Sequence, residues 1–142
     1  MLLLLTVLLQ TNYTNDGVSG GGAIRVTGGT LTVESSSFSG NSVGIYGDGG
    51  AISSENSGNI RINNSVFDSN ERIGNNNQYG GAISVKQPSV PNTSIEIANS
   101  IFTNNVLDAT GSRTTGGAFR IYGTNNLTSA LIDNVLFKGN KA

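Results

Sequence analysis

The stretch "QYGGAISV", residues 78–85, places two adjacent glycines directly before the alternating apolar residues Ile83 and Val85. Glycine loses more conformational freedom on folding than any other residue and has no side chain to pack. A double glycine at the start of a strand is therefore costly unless the backbone geometry requires it. The same tetrad returns three times, as "GGAI", "GGAI" and "GGAF", at Gly21–Ile24, Gly49–Ile52 and Gly116–Phe119.

A second motif alternates with the tetrads, in which an aromatic residue is followed three positions later by asparagine. Its four copies lie at Phe38–Asn41, Phe67–Asn70, Phe102–Asn105 and Phe137–Asn140. The tetrads are 28, 31 and 36 residues apart, and the phenylalanines are 29, 35 and 35 residues apart. Periods between about 20 and 50 residues are typical of stacked repeat arrays.

Between the two motifs the apolar residues alternate, as in "AISV", "NIRI" and "SIEI". Alternation with a period of two predicts strands, and no stretch carries a helical period long enough for a helix. Asn, Gly, Ser and Thr fill the gaps between strands and predict turns. Each repeat would hold two or three short strands, which cannot bury a core alone. The sequence therefore predicts an all-β parallel solenoid of four to five stacked coils.

Stacking of coils places equivalent residues over one another at about 4.8 Å, the spacing between neighbouring strands. We expect an internal aromatic column and, at the bend that follows it, a column of asparagine amides that bond to one another and to the turn backbone. The aromatic column would contain Phe38, Phe67, Phe102 and Phe137, and the amide column Asn41, Asn70, Asn105 and Asn140. A second polar column would contain Ser35, Asn64, Asn99 and Asn134.

The double glycines are expected to stack in the same way, where the chain leaves a variable loop and turns into a new coil. Glycine there permits the positive φ of a tight corner and the close approach of successive backbones. The stacked pairs would be Gly21 and Gly22, Gly49 and Gly50, Gly80 and Gly81, and Gly116 and Gly117.

The alternating "GGAI" and "FxxN" motifs resemble the repeats of the chlamydial polymorphic outer-membrane proteins, which belong among the pectin-lyase-like, right-handed parallel β-helix surface proteins. The resemblance covers residues 20–142. It implies a right-handed parallel β-helix of the passenger type, displayed at a cell surface or secreted, and used in adhesion. Family members are longer and end in a membrane β-barrel, of which this sequence shows no sign.

Composition limits the remaining possibilities. Hydrophobic residues make up 36% and charged residues 12% of the 142 positions, which suits one thin β-helix domain over 1–142 and gives no apolar run long enough for a membrane span. The net charge of −1, with arginines scattered along the chain, makes nucleic acid an unsuitable partner. The sequence contains no cysteine, so no disulfide contributes to stability, and no cofactor is expected.

The first residues, "MLLLLTVLLQ", have two interpretations. The apolar run fits a signal peptide, although no Lys or Arg precedes it and no small-x-small cleavage site follows it. As a degenerate first coil within residues 1–19, the segment puts Leu9 at the aromatic position and Asn12 in the amide column. The sequence favours the second interpretation and leaves the first open.

Catalysis is not expected. The nine acidic residues are dispersed, and there is no histidine to act as a base and no cysteine nucleophile. The nearest approach to a cation site is a pair of loop aspartates, Asp16 and Asp48, each followed by glycine. Asp-Gly is ordinarily a plain turn. We therefore expect no catalytic residues, no metal ligands and no cofactor-binding residues.

The outward side chains give some information about partners. With the fourth tetrad residue facing inward, the next residues Arg25, Ser53, Ser84 and Arg120 are expected to face solvent, and Glu55 to lie beside Lys86. No aromatic stripe for sugar stacking is expected, since the tyrosines fall near loops and coil ends. Specificity would lie in the loops at residues 71–79, 86–94 and 106–115.

Two functions are compatible with these features. The favoured one is a non-catalytic adhesive or scaffolding β-helix that binds an unknown surface ligand or carbohydrate outside the cell. The alternative is a polysaccharide-binding or polysaccharide-cleaving β-helix whose active residues lie elsewhere in a longer protein. Because Ile132, Leu136 and Phe137 would lie on an uncovered coil, we also expect either a longer array or end-to-end self-association.

Overall fold

The chain forms a stack of five coils, and the predicted all-β parallel β-helix is confirmed. The computed structural model describes residues 2–5, 8–10, 12–14, 20–74, 78–86, 91–109, 114–123 and 125–142. Every strand pairing in these ranges is parallel. Consecutive coils therefore run in the same direction, each one lying over the last.

The first coil comprises β1 (Leu2–Leu5), β2 (Leu8–Gln10) and β3 (Tyr13–Thr14). The second comprises β4 (Ile24–Thr27), β5 (Thr30–Glu34), β6 (Ser37–Ser39) and β7 (Ser42–Val43). The third comprises β8 (Ile52–Glu55), β9 (Ile60–Asn63), β10 (Val66–Asp68), β11 (Glu71–Gly74) and β12 (Gln78–Tyr79). The fourth comprises β13 (Ile83–Lys86), β14 (Thr93–Ala98), β15 (Ile101–Thr103), β16 (Val106–Ala109) and β17 (Thr114–Thr115). The fifth comprises β18 (Phe119–Tyr122), β19 (Leu127–Asp133) and β20 (Leu136–Lys138).

Equivalent strands form four long sheets along the stack, with the strand orders β4-β8-β13-β18, β1-β5-β9-β14-β19, β2-β6-β10-β15-β20 and β3-β7-β11-β16. The turn strands β12 and β17 form a further two-stranded sheet. A complete coil thus has four core strands, more than the two or three expected. The additional one is the short strand after each "FxxN" motif, such as β7, which the spacing alone does not separate from the turn.

Corners between sheets explain much of the asparagine content. The residues between the second and third sheets, Ser35, Asn64, Asn99 and Asn134, all have φ between 47° and 50°. Serine and asparagine tolerate this left-handed conformation better than bulkier residues do. The predicted second polar column therefore lies at an exposed corner, where the Asn134 amide donates to Asn99 Oδ1 at 2.8 Å.

The core is a narrow apolar column enclosed by the sheets. Leu31, Val33, Ile52, Ile62 and Ile97 are fully buried within it, as are three of the phenylalanines. They are the inward members of the alternating patterns. The same alternation leaves the intervening side chains on the outer faces, where a binding site can form.

The N-terminal strands lie in register with the second coil. Leu9 pairs with Phe38, and Tyr13 pairs with Ser42. The Asn12 amide donates to Asn41 Oδ1 at 2.8 Å. In the structure this segment is therefore the first coil of the stack. Asp16 lies outside the described residues.

Candidate functional site

The amide column is a continuous hydrogen-bonded ladder. Each Nδ2 group donates to Oδ1 of the asparagine in the next coil, at 2.9 Å from Asn41 to Asn70, 3.0 Å from Asn70 to Asn105 and 2.9 Å from Asn105 to Asn140. The same Oδ1 atoms also accept backbone N–H groups of the previous coil. The first three of these four side chains are fully buried. Their polar groups are thus used to hold coils together, which removes them from ligand binding.

The phenylalanine rings form a parallel stack beside the ladder. Ring centroids lie 4.8 Å apart between Phe38 and Phe67, 4.7 Å between Phe67 and Phe102 and 5.1 Å between Phe102 and Phe137. Phe102 is fully buried, whereas Phe137 is 44% exposed because no described coil covers it. The column is therefore structural over most of its length and accessible at one end.

The two glycines of a tetrad have different roles. Gly80 has a φ of +68°, as the corner requires, and Gly49 and Gly116 are similar. Gly81 has no positive φ, but a Cβ there would meet the Gly117 carbonyl and lie 2.8 Å from the Val106 carbonyl carbon. The glycines whose added Cβ would overlap the backbone of the next coil in this way are Gly22, Gly50 and Gly81, whereas a Cβ on Gly117 would overlap Lys141 at the end of its own coil.

Gly21 departs from the pattern of the other first glycines, since its φ is not positive. A Cβ at Gly21 would instead lie 2.6 Å from the Ser53 backbone nitrogen, in the next coil. The double glycine thus combines a tight corner with close contact between coils. Both are consequences of the stack and neither is a ligand site.

A serine column that the sequence interpretation missed lies one residue after the corner. Ser65 Oγ accepts the Ser36 backbone N–H at 3.2 Å, and Ser100 Oγ accepts that of Ser65 at 3.1 Å. Each hydroxyl also donates to a backbone carbonyl two residues earlier. The signal was present in the sequence as Ser two positions before each phenylalanine, until Val135 replaces it in the last coil.

The chemically varied surface is the outer face of the sheet β4-β8-β13-β18, which we call the tetrad face because each of its strands begins in a tetrad. One row across it contains Arg25, Ser53, Ser84 and Arg120, and the other contains Thr27, Glu55, Lys86 and Tyr122. The residues before the tetrads, Asp48 and Tyr79 among them, lie at its edge, where Gly49 N–H donates to Tyr79 O at 3.2 Å.

The expectation that Ser53 and Ser84 face solvent is wrong, since they are only 6% and 1% exposed. The backbones of neighbouring coils lie close together here, since a Cβ on Gly49 would lie 2.8 Å from the Ser84 nitrogen. Ser84 Oγ has no hydrogen-bond partner, and neither does the buried Nη1 atom of Arg120. These two residues are register partners in neighbouring strands, so two buried donors with unused capacity lie side by side.

Charges on the tetrad face are unevenly paired. Glu55 lies between two cations, 3.4 Å from Arg25 Nη2 and 3.7 Å from Lys86 Nζ, as expected for the Lys86 pair. Among the described residues Arg120 has no carboxylate within ion-pair distance. The two rows therefore hold three cations and one anion. Exposed pairs of this kind contribute little to stability, which leaves their charge available to a partner.

Aromatic residues and a guanidinium meet at one end of the tetrad face. The rings of Tyr79 and Tyr122 stack with centroids 5.3 Å apart, and the Arg120 guanidinium lies 3.5 Å from the Tyr79 centroid. Tyr122 is 40% exposed. The sequence interpretation expected no aromatic stripe because the tyrosines fall near loops and coil ends, yet two of them stack here. Tyr79 lies in β12 and Tyr122 ends β18, so two tyrosines come together although their positions in the repeat differ.

Asp48 is the partly buried acid of this region. Burial raises the pKa of its carboxyl above the usual 3.8, while Lys86, Arg72 and Arg120 oppose the shift. Nearby, Arg72 is 2% exposed and donates to the carbonyls of Ile45 and Ile73. Burial lowers the pKa of Arg72 to about 10, opposed by Asp48. The arginines are therefore not all scattered on the surface, because this one occupies an inward position.

No group of three or more potential metal ligands occurs within the described residues. The same residues contain no helix long and apolar enough to cross a bilayer. The specificity loops expected at residues 71–79, 86–94 and 106–115 lie partly outside the described residues, which omit 75–77, 87–90 and 110–113.

Comparison with known proteins found no matching family model, no matching curated protein and no matching solved structure. The resemblance to polymorphic outer-membrane protein repeats thus stays a hypothesis based on the two motifs.

Proposed function

We propose that the protein is a non-catalytic β-helical scaffold, secreted or displayed at a cell surface, that adheres to a surface ligand or carbohydrate. The observation that carries this proposal is that the interior and exterior side chains have different roles. The asparagine ladder, the serine column and the stacked rings engage their polar and aromatic groups in holding coils together. The exterior carries the tetrad face, where charged and aromatic side chains are partly exposed.

The motif pattern supports the same function. Four "GGA" tetrads alternating with four "FxxN" motifs resemble the repeats of surface adhesins with passenger β-helices. Stacked repeats create long, rigid surfaces that are suited to binding partners by contact over several coils. Catalysis would instead need acid, base or metal groups brought together in one place.

The test is attachment measured together with turnover. Beads coated with the folded protein should attach to cultured cell monolayers more than beads coated with the heat-unfolded protein. The protein should release no reducing ends from acidic or neutral polysaccharides. Equal attachment of both bead types would overturn the adhesive function. Polysaccharide cleavage that disappears in Asp48→Asn or Glu55→Gln would replace it with an enzymatic one.

End-to-end association is part of the proposed assembly. The fifth coil exposes Ile132 by 50% and Phe137 by 44%, although their register partners in the fourth coil, Ile97 and Phe102, are fully buried. An apolar coil face with unpaired strand edges is a template for stacking of a further coil. Sedimentation velocity at increasing concentration should therefore show a growing fraction of dimer. A monomer at all concentrations would contradict this part of the proposal without affecting attachment.

A further inference from the structure

The tetrad face differs from the neighbouring outer face in the sign of its charge. On the sheet β1-β5-β9-β14-β19, Arg61 lies 3.9 Å from Glu34 and 3.8 Å from Glu96, so one cation is shared by two anions. On the tetrad face the ratio is reversed, with Glu55 shared by Arg25 and Lys86. The two rows of the tetrad face thus carry three cations and one anion, with Asp48 at the edge of the face, on a chain whose net charge is −1.

The second feature is the residue types that gather there. Tyrosine and arginine are among the side chains enriched at the hot spots of protein interfaces. Arg120 is already held against the Tyr79 ring, so little of its conformational entropy remains to be lost on binding. Tyr122, 40% exposed and stacked on Tyr79, adds apolar area at the same place.

The third feature is unused hydrogen-bonding capacity. Ser84 Oγ and Arg120 Nη1 are buried without a partner, although buried polar groups in proteins are nearly always bonded. Both residues lie in the same row of the face, in adjacent strands. Both atoms are buried, so a docked segment would meet the part of the half-buried Arg120 side chain that remains at the surface, where a guanidinium can hold a carboxylate in two-point contact.

From this combination we propose that the tetrad face is a protein-docking surface for an acidic polypeptide segment, with Arg120 and Lys86 binding its carboxylates and Tyr122 packing against an apolar side chain of it. The inference rests on the proposed adhesive function and names the chemistry of the partner. An acidic glycan would use the cations but would gain less from the preformed arginine and tyrosine cluster. Binding of an acidic glycan is therefore the competing outcome of the test.

The probe is a fluorescein-labelled peptide that alternates glutamate with tyrosine and leucine, and its control replaces every glutamate with glutamine. Fluorescence anisotropy at physiological salt should show the acidic peptide binding the intact chain about tenfold more tightly than the neutral peptide, since a charge-assisted hydrogen bond contributes on that order. Added salt should weaken the binding of the acidic peptide alone.

Variants on exposed side chains separate docking from folding. Lys86→Gln and Tyr122→Ala should each weaken peptide binding several-fold, whereas Glu55→Gln should strengthen it by removing the competing carboxylate. Arg61→Gln, an exposed arginine on the neighbouring face, should leave it unchanged. Denaturation midpoints close to that of the unsubstituted protein would show that all four variants are folded.

Three results of the binding assay would overturn the proposal: equal binding of the acidic and neutral peptides, equal effects of Lys86→Gln and Arg61→Gln, or tighter binding of a heparin fragment through the same residues. If Lys86→Gln and Tyr122→Ala still attach to cells like the unsubstituted protein, this inference fails while the adhesive function stands. If the unsubstituted protein does not attach to cells at all, the adhesive function fails.

Discussion

Asn70 donates its amide to Oδ1 of Asn105 at 3.0 Å and also to the carbonyl of Phe38 at 3.0 Å, so one side chain joins three successive coils. Asn105 repeats the arrangement with Asn140 and Phe67. Both are fully buried. The ladder is therefore the element by which each coil determines the position of the next.

Truncation of a ladder asparagine should be strongly destabilising. Asn105→Ala leaves the Asn70 amide and backbone N–H without their acceptor and Phe67 O without its donor, so we expect a loss of about 1–3 kcal/mol. Asn125→Ala, at an exposed turn, should change stability by less than about 0.5 kcal/mol. Urea unfolding of both variants checks this. Equal midpoints would show that the ladder does not stabilise the stack.

The two roles of the glycines are separable by substitution. Gly81→Ala forces a Cβ onto the backbone of the next coil and should cost about 3 kcal/mol. Gly28 has a φ of +75° with its nearest neighbour 3.9 Å from an added Cβ, so Gly28→Ala should cost only the left-handed strain of about 1–2 kcal/mol. Thermal unfolding ranks the two. If Gly28→Ala were the more harmful, close approach of coils would not be the reason for the second glycine.

Each serine of the serine column should contribute to stability according to the buried hydrogen bonds that its hydroxyl makes. Ser65→Ala removes the buried acceptor of the Ser36 N–H and the partly buried donor to Asn63 O, and should cost about 1–2 kcal/mol. Ser69→Ala removes only an exposed bond to Asp68 and should be nearly neutral. Chemical denaturation compares them, and the idea fails if Ser65→Ala is as harmless as its exposed counterpart.

Asp48 should make stability depend on pH in a defined direction. Its folded pKa is raised above 3.8, chiefly by burial, so its favourable contribution is present below that value and is lost as the pH rises through the folded pKa. Asp48→Asn should therefore stabilise the protein at about pH 7 and have no such effect at about pH 3. Urea midpoints at both pH values measure this.

Asp68 serves as a control, because its pKa is shifted in the direction opposite to that of Asp48. A hydrogen bond from Thr103, supported by Asn104 and Ser69, lowers the pKa of this carboxyl. Its contribution is present above 3.8 and is lost as the pH falls through the folded pKa. Asp68→Asn should therefore destabilise at neutral pH only. The same sign for both variants would contradict the assignment of burial as the cause at Asp48.

The fold could be predicted from the sequence because each motif recurs at an equivalent position of its coil. Phe67 and Phe102 lie in register in the structure, 35 residues apart in the chain. The burial of Arg72 could also have been predicted in this way. Arg72 occurs two residues after its ladder asparagine, at the position where the other coils have Val43 and Leu107. Counting arginines by sequence, without regard to register, missed it.

The two rows of the tetrad face could be predicted in part, but the tyrosine and arginine cluster at its end could not, because it depends on segments whose lengths differ between repeats. Tyr79 precedes one tetrad and Tyr122 follows the next, so no common spacing relates the two rings that stack. Burial of Ser84 is likewise not indicated by alternation, which places this residue at an outward position of its strand. Contacts made by loops of different length must be seen in three dimensions.

The most direct test of the account is crosslinking across neighbouring coils, because every column depends on their register. Val66 and Ile101 are exposed register partners in adjacent strands, and Leu136 lies one strand further on. The sequence contains no cysteine, so within one chain a disulfide can form only between the two introduced cysteines. Val66→Cys with Ile101→Cys should form a disulfide on mild oxidation, whereas Val66→Cys with Leu136→Cys, about 9.6 Å apart, should not. Equal crosslinking of both pairs, or of the distant pair alone, would contradict the stacked coils.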